Sequence, residues 1–241
     1  MNRVYVESPL AGRRNCELQG DAANHIARVL RARAGDPLVL FDGRGGEYAA
    51  TVESLRKDRV AVAIGGHSPL ERESALPITL VQGISRAERM DLVLQKATEL
   101  GVARIVPIQA ERSVVRTDEQ KAGRKAAHWR SIAIAACEQC GRNRLPAIDP
   151  PTMLAAWLCS RPAVDVALML SPRADATLRS VARGARSIEL LVGPEGGLAP
   201  DEEKAVRDAG FLSARLGPRI LRTETAALAA LAALQSEFGD F

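Results

Sequence analysis

Three short segments carry residue types that could do chemistry. LLVGPEGGL (190–198) and LGPRILRTETA (216–226) each read as an apolar strand that stops at a glycine, turns through Gly and Pro, and enters a helix. Such turns put bare backbone N–H and C=O groups at the carboxyl edge of a sheet, where open α/β folds bind ligands. Gly193, Gly196 and Gly197 permit positive φ and let a ligand approach the backbone. Ile220 and Leu221 offer an apolar wall, and Thr223 can cap the last helix with Glu224 in its first turn. Apolar contact beside exposed backbone suits an adenine ring. The helix after the first turn opens with Asp201, Glu202 and Glu203, which disfavours an anion and leaves a neutral or cationic ligand edge. Neither segment is a phosphate loop, since G-x-x-x-x-G-K-[ST] and a strand-borne G-x-G-x-x-G are both missing. Taken singly, each segment also fits a plain β-α turn.

The third segment is CEQCGRNR (137–144). Cys137 and Cys140 have redox spacing, but they close a long helix, whereas a redox pair opens one, where the N-terminus lowers the thiol pKa. No second Cys or His pair stands at zinc-ligand spacing, so no metal is expected. Glu138 and Arg142 stand four apart at the helix end. They read either as a surface pair or, with Gln139, as an acceptor, an amide and a guanidinium in a site.

The elements that must position these segments fall into two patterns. Residues 1–70 read as a small β-barrel domain: alternation at Val4 and Val6, a hairpin over 38–55 with its Gly-rich turn at 42–46, another strand over 58–66, and one helix over 22–32. Residues 67–77 are polar and Pro-bounded, like a linker. Over 74–241 apolar runs alternate with helical ones, the signature of parallel β-α-β units. Strands are expected at 78–83, 104–109, 164–170, 188–193 and 212–217. Helices are expected at 88–101, 119–140, 152–159, 200–209 and 223–238.

Net charge is +4, and the basic residues cluster. Between Arg112 and Arg144 eight Lys or Arg face three acids, and six Arg stand in the first 35 residues. The two stretches could form one footprint for a nucleic acid or remain solvated faces. Arg28 and Arg31 lie on one helical face beside His25 and could meet phosphates. No apolar leader is visible and the Ala/Leu run at 226–234 is too short to span a bilayer, so a cytoplasmic protein is expected.

Together HIARVLRARAGD, LFDGRGGEY, QKATELGV, AACEQCGRNRLP, LVGPEGGL and LGPRILRTETA resemble, in order and over nearly the whole chain, the 16S ribosomal RNA (uracil-1498-N3)-methyltransferase family, RsmE, of the SPOUT superfamily. The chain departs from that pattern at Ser85–Arg89, where many relatives carry Lys before the pair ahead of Met90; a basic residue is still present. The resemblance implies a PUA-like RNA-binding barrel, an α/β methyltransferase domain with a C-terminal trefoil knot, and a homodimer. It implies S-adenosylmethionine as donor, S-adenosylhomocysteine as product, and 16S rRNA in the assembled 30S subunit as substrate. The donor loops correspond to Leu170 and Ser171, to Gly193, Glu195, Gly196 and Gly197, and to Leu216, Gly217, Ile220, Leu221 and Arg222. Arg142 is then expected to stabilise charge on the uracil, with Glu138 and Gln139 orienting it and Glu224 as the alternative base. Arg3, His25, Arg28, Arg31, Arg124 and Lys125 are expected on RNA. Two other classes stay open: a non-catalytic RNA-binding factor, and a thiol protein using Cys137 and Cys140.

Overall fold

The computed structural model describes residues 2–114 and 119–241, without the side chains of 119–121. Arg116 and the side chain of Lys121, both in the basic stretch, lie outside the described residues. The chain divides into two compact units, residues 1–73 with 134–145, and residues 74–133 with 146–241.

The first unit holds β1 (Asn2–Tyr5), β2 (Asn15–Gln19), α1 (Gly20–Asn24), β3 (Pro37–Phe41), β4 (Glu47–Arg56) and β5 (Arg59–Ser68). Its sheet runs β1-β3-β4-β5-β2, with β1 parallel to β3 and the other pairs antiparallel. The described pairing path has two ends, β1 and β2. The two-residue period decides which side chains enter the core. Ala50 and Val52 are buried while Ala49 and Thr51 face out, and on β5 Val62, opposite Val52, and Val60 are buried too. The turn between β3 and β4 needs its glycines, because Gly43, Gly45 and Gly46 all hold positive φ.

One expectation fails in this unit. The helix expected over 22–32 is instead α1 followed by a π-helical turn, His25–Val29. Leu30 N–H bonds His25 C=O at 2.9 Å, five residues back. The turn ends at Arg31, whose φ of 51° lies in the left-handed region. A period of 3.6 cannot foresee this, since the apolar spacing of a single wide turn matches an ordinary helix.

The second unit holds β6 (Ile78–Gly83), α2 (Ala87–Glu99), β7 (Arg104–Gln109), the first part of α3 (Glu119–Cys140), β8 (Ala147–Ile148) and β9 (Thr152–Met153). It continues through α4 (Leu154–Ser160), β10 (Val166–Leu170), α5 (Leu178–Val181), β11 (Ile188–Val192), α6 (Pro200–Asp208), β12 (Leu212–Ala214) and α7 (Thr223–Phe238). The sheet is parallel in the order β12-β10-β11-β6-β7-β8, and β9 also pairs with β7. All five residues of β11 are buried, as expected where helices cover both faces of a parallel sheet. On one face Leu80, Leu168 and Leu190 meet Val93 and Leu94 of α2 and Leu231 and Leu234 of α7. On the other, Val81, Met169 and Leu191 meet Trp157 of α4, Val206 of α6 and Phe211. Each such aliphatic side chain contributes about 1.5–3 kcal/mol on burial. The polar exception in β11 is Glu189, 1% exposed and paired with Arg161 at 2.6 Å. Among the described residues no helix is long and apolar enough to cross a membrane.

Candidate functional site

The neighbouring strands β12, β10, β11 and β6 run parallel and side by side, so the loops that follow them gather at one edge of the sheet. These loops enclose a cavity of about 840 Å³. Its walls are the carboxyl end of β10 with Leu170 and Ser171, the turn 193–197 after β11, and the segment 216–222 between β12 and α7. All the predicted donor-binding residues line it except Gly217. Gly217, at φ 125°, faces a second cavity of about 350 Å³ beside α7. Met169, Val192, Leu198 and Thr223 also line the first cavity and are not among the residues expected on the donor.

Two close approaches fix the loops. Gly83, at the end of β6, lies against the turn after β11: a Cβ there would stand 2.3 Å from Pro194 N and 2.7 Å from Gly193 C. Thr223 provides the second tie. It does not cap α7 with its side chain, as the sequence suggested, because Arg222 is the N-cap residue and no side-chain cap bond forms. The Thr223 hydroxyl instead donates to Gly193 C=O at 2.7 Å and accepts from Gln82 Nε2 at 2.9 Å. Two loops and a strand end are thus joined through one buried hydroxyl. In the turn itself, Gly197 holds φ 69° and its N–H bonds Pro194 C=O at 2.9 Å.

The charges at the cavity are unusual. Arg89, in the first turn of α2, stands 3.4 Å from Glu195 Oε1 through Nη1 and 3.7 Å from Glu224 Oε1 through Nε. The other oxygen of each carboxylate, and Ser85 Oγ, are buried and lack a partner among the described residues. An unpartnered buried carboxylate oxygen is costly unless something binds it. A cationic group beside Glu195, between apolar walls and bare backbone, fits such a site.

The other predicted catalytic residues lie in the first unit. Arg142 is 4% exposed and its guanidinium grips Glu73, Nε to Oε1 at 3.0 Å and Nη2 to Oε2 at 2.5 Å. Burial opposes the Arg142 charge, but the Glu73 hydrogen bonds and charge outweigh it and raise the pKa. Glu138 Oε1 accepts the Tyr5 N–H at 3.0 Å, and Gln139 is exposed. Fully buried Asn143 accepts from Arg3 Nη2 at 2.6 Å and donates to Leu70 C=O at 2.6 Å. The 138–144 segment therefore ties β1 and residues 70–73 together. Arg142, expected on the uracil, is thus held by Glu73. Reaching a base would break a buried pair, and stripping one partner from such a pair costs about 3–5 kcal/mol.

Arg3, expected on RNA, is similarly engaged. Its guanidinium bonds Glu47, Asn143 and the Arg142 carbonyl and lies over Phe41. Arg28, Arg31 and Arg124 are exposed, and His25 and Lys125 are half-buried. Cys137 is buried, and its thiol is pushed far up by the hydrogen bond with Cys140 and by burial, the reverse of an activated thiol. Among the described residues no group of three or more His, Cys, Asp or Glu could hold a metal ion.

Known proteins bear on these loops directly. Residues 72–235 match the RNA methyltransferase domain family, and residues 18–65 match the RNA methyltransferase PUA domain. The chain is similar to the ribosomal RNA small subunit methyltransferase E of Buchnera aphidicola, at 33% identity over 99% of this chain and 94% of the relative. It is 37% identical to that of Mycobacterium bovis, over 90% and 84%. Among solved structures it is similar to a Legionella pneumophila protein in complex with bound SAM, with TM-score 0.95 and 40% identity over 99% and 98% of the two chains. It is also similar to the Neisseria gonorrhoeae ribosomal RNA small subunit methyltransferase E bound to S-adenosyl methionine, with TM-score 0.92 and 39% identity over 100% and 99%. A cavity built from three β-α loops, a paired PUA domain and full-length similarity agree: the chain belongs to the ribosomal RNA small subunit methyltransferase E family of RNA methyltransferases.

Proposed function

We infer that this protein transfers a methyl group from S-adenosylmethionine to N3 of a uridine in 16S rRNA, at a position of the 1498 type, acting on the small ribosomal subunit. The observation that carries the reading is the cavity at the ends of β10, β11 and β12, with its apolar walls, bare backbone and unpartnered Glu195 oxygen. Leu170, Leu216, Ile220 and Leu221 form walls for an adenine ring. Ser171, Gly193, Gly196, Gly197 and Arg222 present backbone or polar groups to the rest of the donor. Bound there, the donor supplies an electrophilic methyl group on a positively charged sulfur. The chain's part is to hold that sulfur and the uridine in line, exclude water, and deal with the N3 proton. In this reading the segments from β10 to α7 form a SPOUT-type trefoil knot. Two copies pair through the knotted region, and the enzyme works in the cytoplasm. Calorimetric titration with S-adenosylmethionine tests the donor site. One saturable site per chain is expected, and no binding would leave only an RNA-binding factor.

The first unit supplies RNA contact through exposed Arg28 and Arg31. Replacing both with Glu is expected to weaken binding to small-subunit RNA at least tenfold. The slope of log K against log salt should flatten by about two, one per lost phosphate contact. Donor affinity should not change, and filter binding across a salt series reads both slopes.

A further inference from the structure

The guanidinium of Arg89 and the carboxylate of Glu195 meet at 3.4 Å on the wall of the donor cavity. Arg89 is one-third exposed there, and among the described residues its Nη2 has no acceptor. Glu195 keeps Oε2 buried and unpartnered. Its Oε1 is held only loosely, 3.4 Å from the Arg86 N–H and 3.4 Å from Arg89. On the far side, Glu224 faces the inner Nε of the same guanidinium at 3.7 Å. A hydrogen-bond donor therefore stands beside an acceptor, both ionised types, with spare capacity and a brace behind.

That arrangement has a natural complement. The imide edge of uracil presents a C=O acceptor beside the N3–H donor. Cytosine presents the reverse, an amino donor beside an unprotonated N3, and meets the pair with like facing like. We propose that Arg89 and Glu195 together form the uracil-recognising and proton-accepting site of this enzyme, with Glu224 as a positioning residue that steadies Arg89. This rests on the methyl-transfer reading above and moves the charge-stabilising role from Arg142, and the base role from Glu224, to side chains that line the cavity. The step balances as follows. The N3–H bond breaks and its proton passes to the Glu195 carboxylate. The electron pair left on N3 forms the bond to the methyl carbon, and the carbon–sulfur bond breaks with its pair going to sulfur. Arg89 hydrogen-bonds the adjacent carbonyl oxygen, where negative charge builds as the proton leaves. The proton finally leaves Glu195 for water.

The test uses the full chain, S-adenosylmethionine, and small ribosomal subunits from cells lacking this protein. Turnover is read at saturating donor across pH 7 to about 9, and donor affinity is measured separately by calorimetry. Glu195→Gln is expected to lose 10²–10⁴-fold in turnover at saturating donor, roughly the share of a general base, over and above any loss in donor affinity. Its residual rate should rise about tenfold per pH unit, because only uracil that has already lost its proton can react. Arg89→Met should lose about 10²–10³-fold, the typical effect of removing one donor to a developing oxyanion, and Arg89→Lys should recover part of that. Glu224→Gln keeps an acceptor for Nε and should stay within about tenfold with the parent pH profile. Near-normal turnover and an unchanged pH profile for Glu195→Gln would overturn the proposal. So would a change confined to weaker donor binding, or a greater loss in Glu224→Gln than in Glu195→Gln. A parent protein that moves no methyl group to uridine N3 brings down the functional reading and this proposal together. A parent that does so alongside unaffected variants brings down this proposal alone.

Discussion

Gly83→Ala is expected to weaken S-adenosylmethionine binding about a hundredfold, equal to roughly 2.7 kcal/mol. The added Cβ has nowhere to go. It would lie 2.3 Å from Pro194 N and 2.7 Å from both Gly193 C and the Pro194 ring, far inside van der Waals contact. The obstacle is backbone, not a flexible side-chain tip, so the 193–197 turn must move. That turn also carries Gly193 C=O, which holds the Thr223 hydroxyl at 2.7 Å and through it the start of α7. Displacing it disturbs two of the three donor loops at once, and losing two or three backbone contacts of about 1 kcal/mol each accounts for the effect. Gly66→Ala is the control, since its added Cβ meets nothing within 4 Å. Calorimetry on both variants checks this, and unchanged affinity in Gly83→Ala would separate the turn from donor binding.

Arg142→Ala is expected to destabilise the protein by about 3 kcal/mol, lowering the melting temperature by on the order of 10 °C. The low end of the range for a broken buried pair applies because Glu73 is 23% exposed and keeps some contact with water. Activity should fall with the folded fraction. The informative variant is Arg142→Met with Glu73→Met, which removes both charges and leaves neither unpaired. Replacing a whole buried pair with apolar residues is often close to neutral, so stability should return. If Arg142 only organises the 138–144 segment, turnover returns too. Calorimetric melting alongside single-turnover methylation reads both quantities. A stable double variant without turnover, or an Arg142→Ala that melts normally yet transfers nothing, would restore Arg142 to the uracil.

The contrast between these two sites shows what a one-dimensional reading can carry. The β-α alternation, the acidic start of α6 with Pro200 in its first turn, and the Gly-rich loops are local patterns, and the loops could be placed at a sheet edge from residue type alone. The partners of those loops are not local. Nothing near Gly83 announces that the 193–197 turn will lie against it, and nothing near Arg142 announces Glu73. Thr223 differs from its sequence reading for the same reason: a Thr before an apolar run looks like a cap until a distant carbonyl accepts its hydrogen bond. The sequence marks Arg89 only as part of the basic entry to α2, because a first-turn arginine on an amphipathic helix is ordinarily a solvated one. Its meaning comes from two carboxylates that arrive from the β11 turn and from α7. The resemblance to a known family supplied the donor and the target, which neither periodicity nor spacing contains.

The most direct test of the central claim is donor-dependent modification of small ribosomal subunits from cells lacking this protein. Purified protein and labelled S-adenosylmethionine are added, and the label is mapped on the RNA by primer-extension arrest, since a methyl group on N3 blocks base pairing. A single donor-dependent stop at one uridine near the 3′ end of 16S rRNA is the result this account predicts. Absence of incorporation into subunits that a related enzyme can modify, or a methyl group on another base, would contradict it.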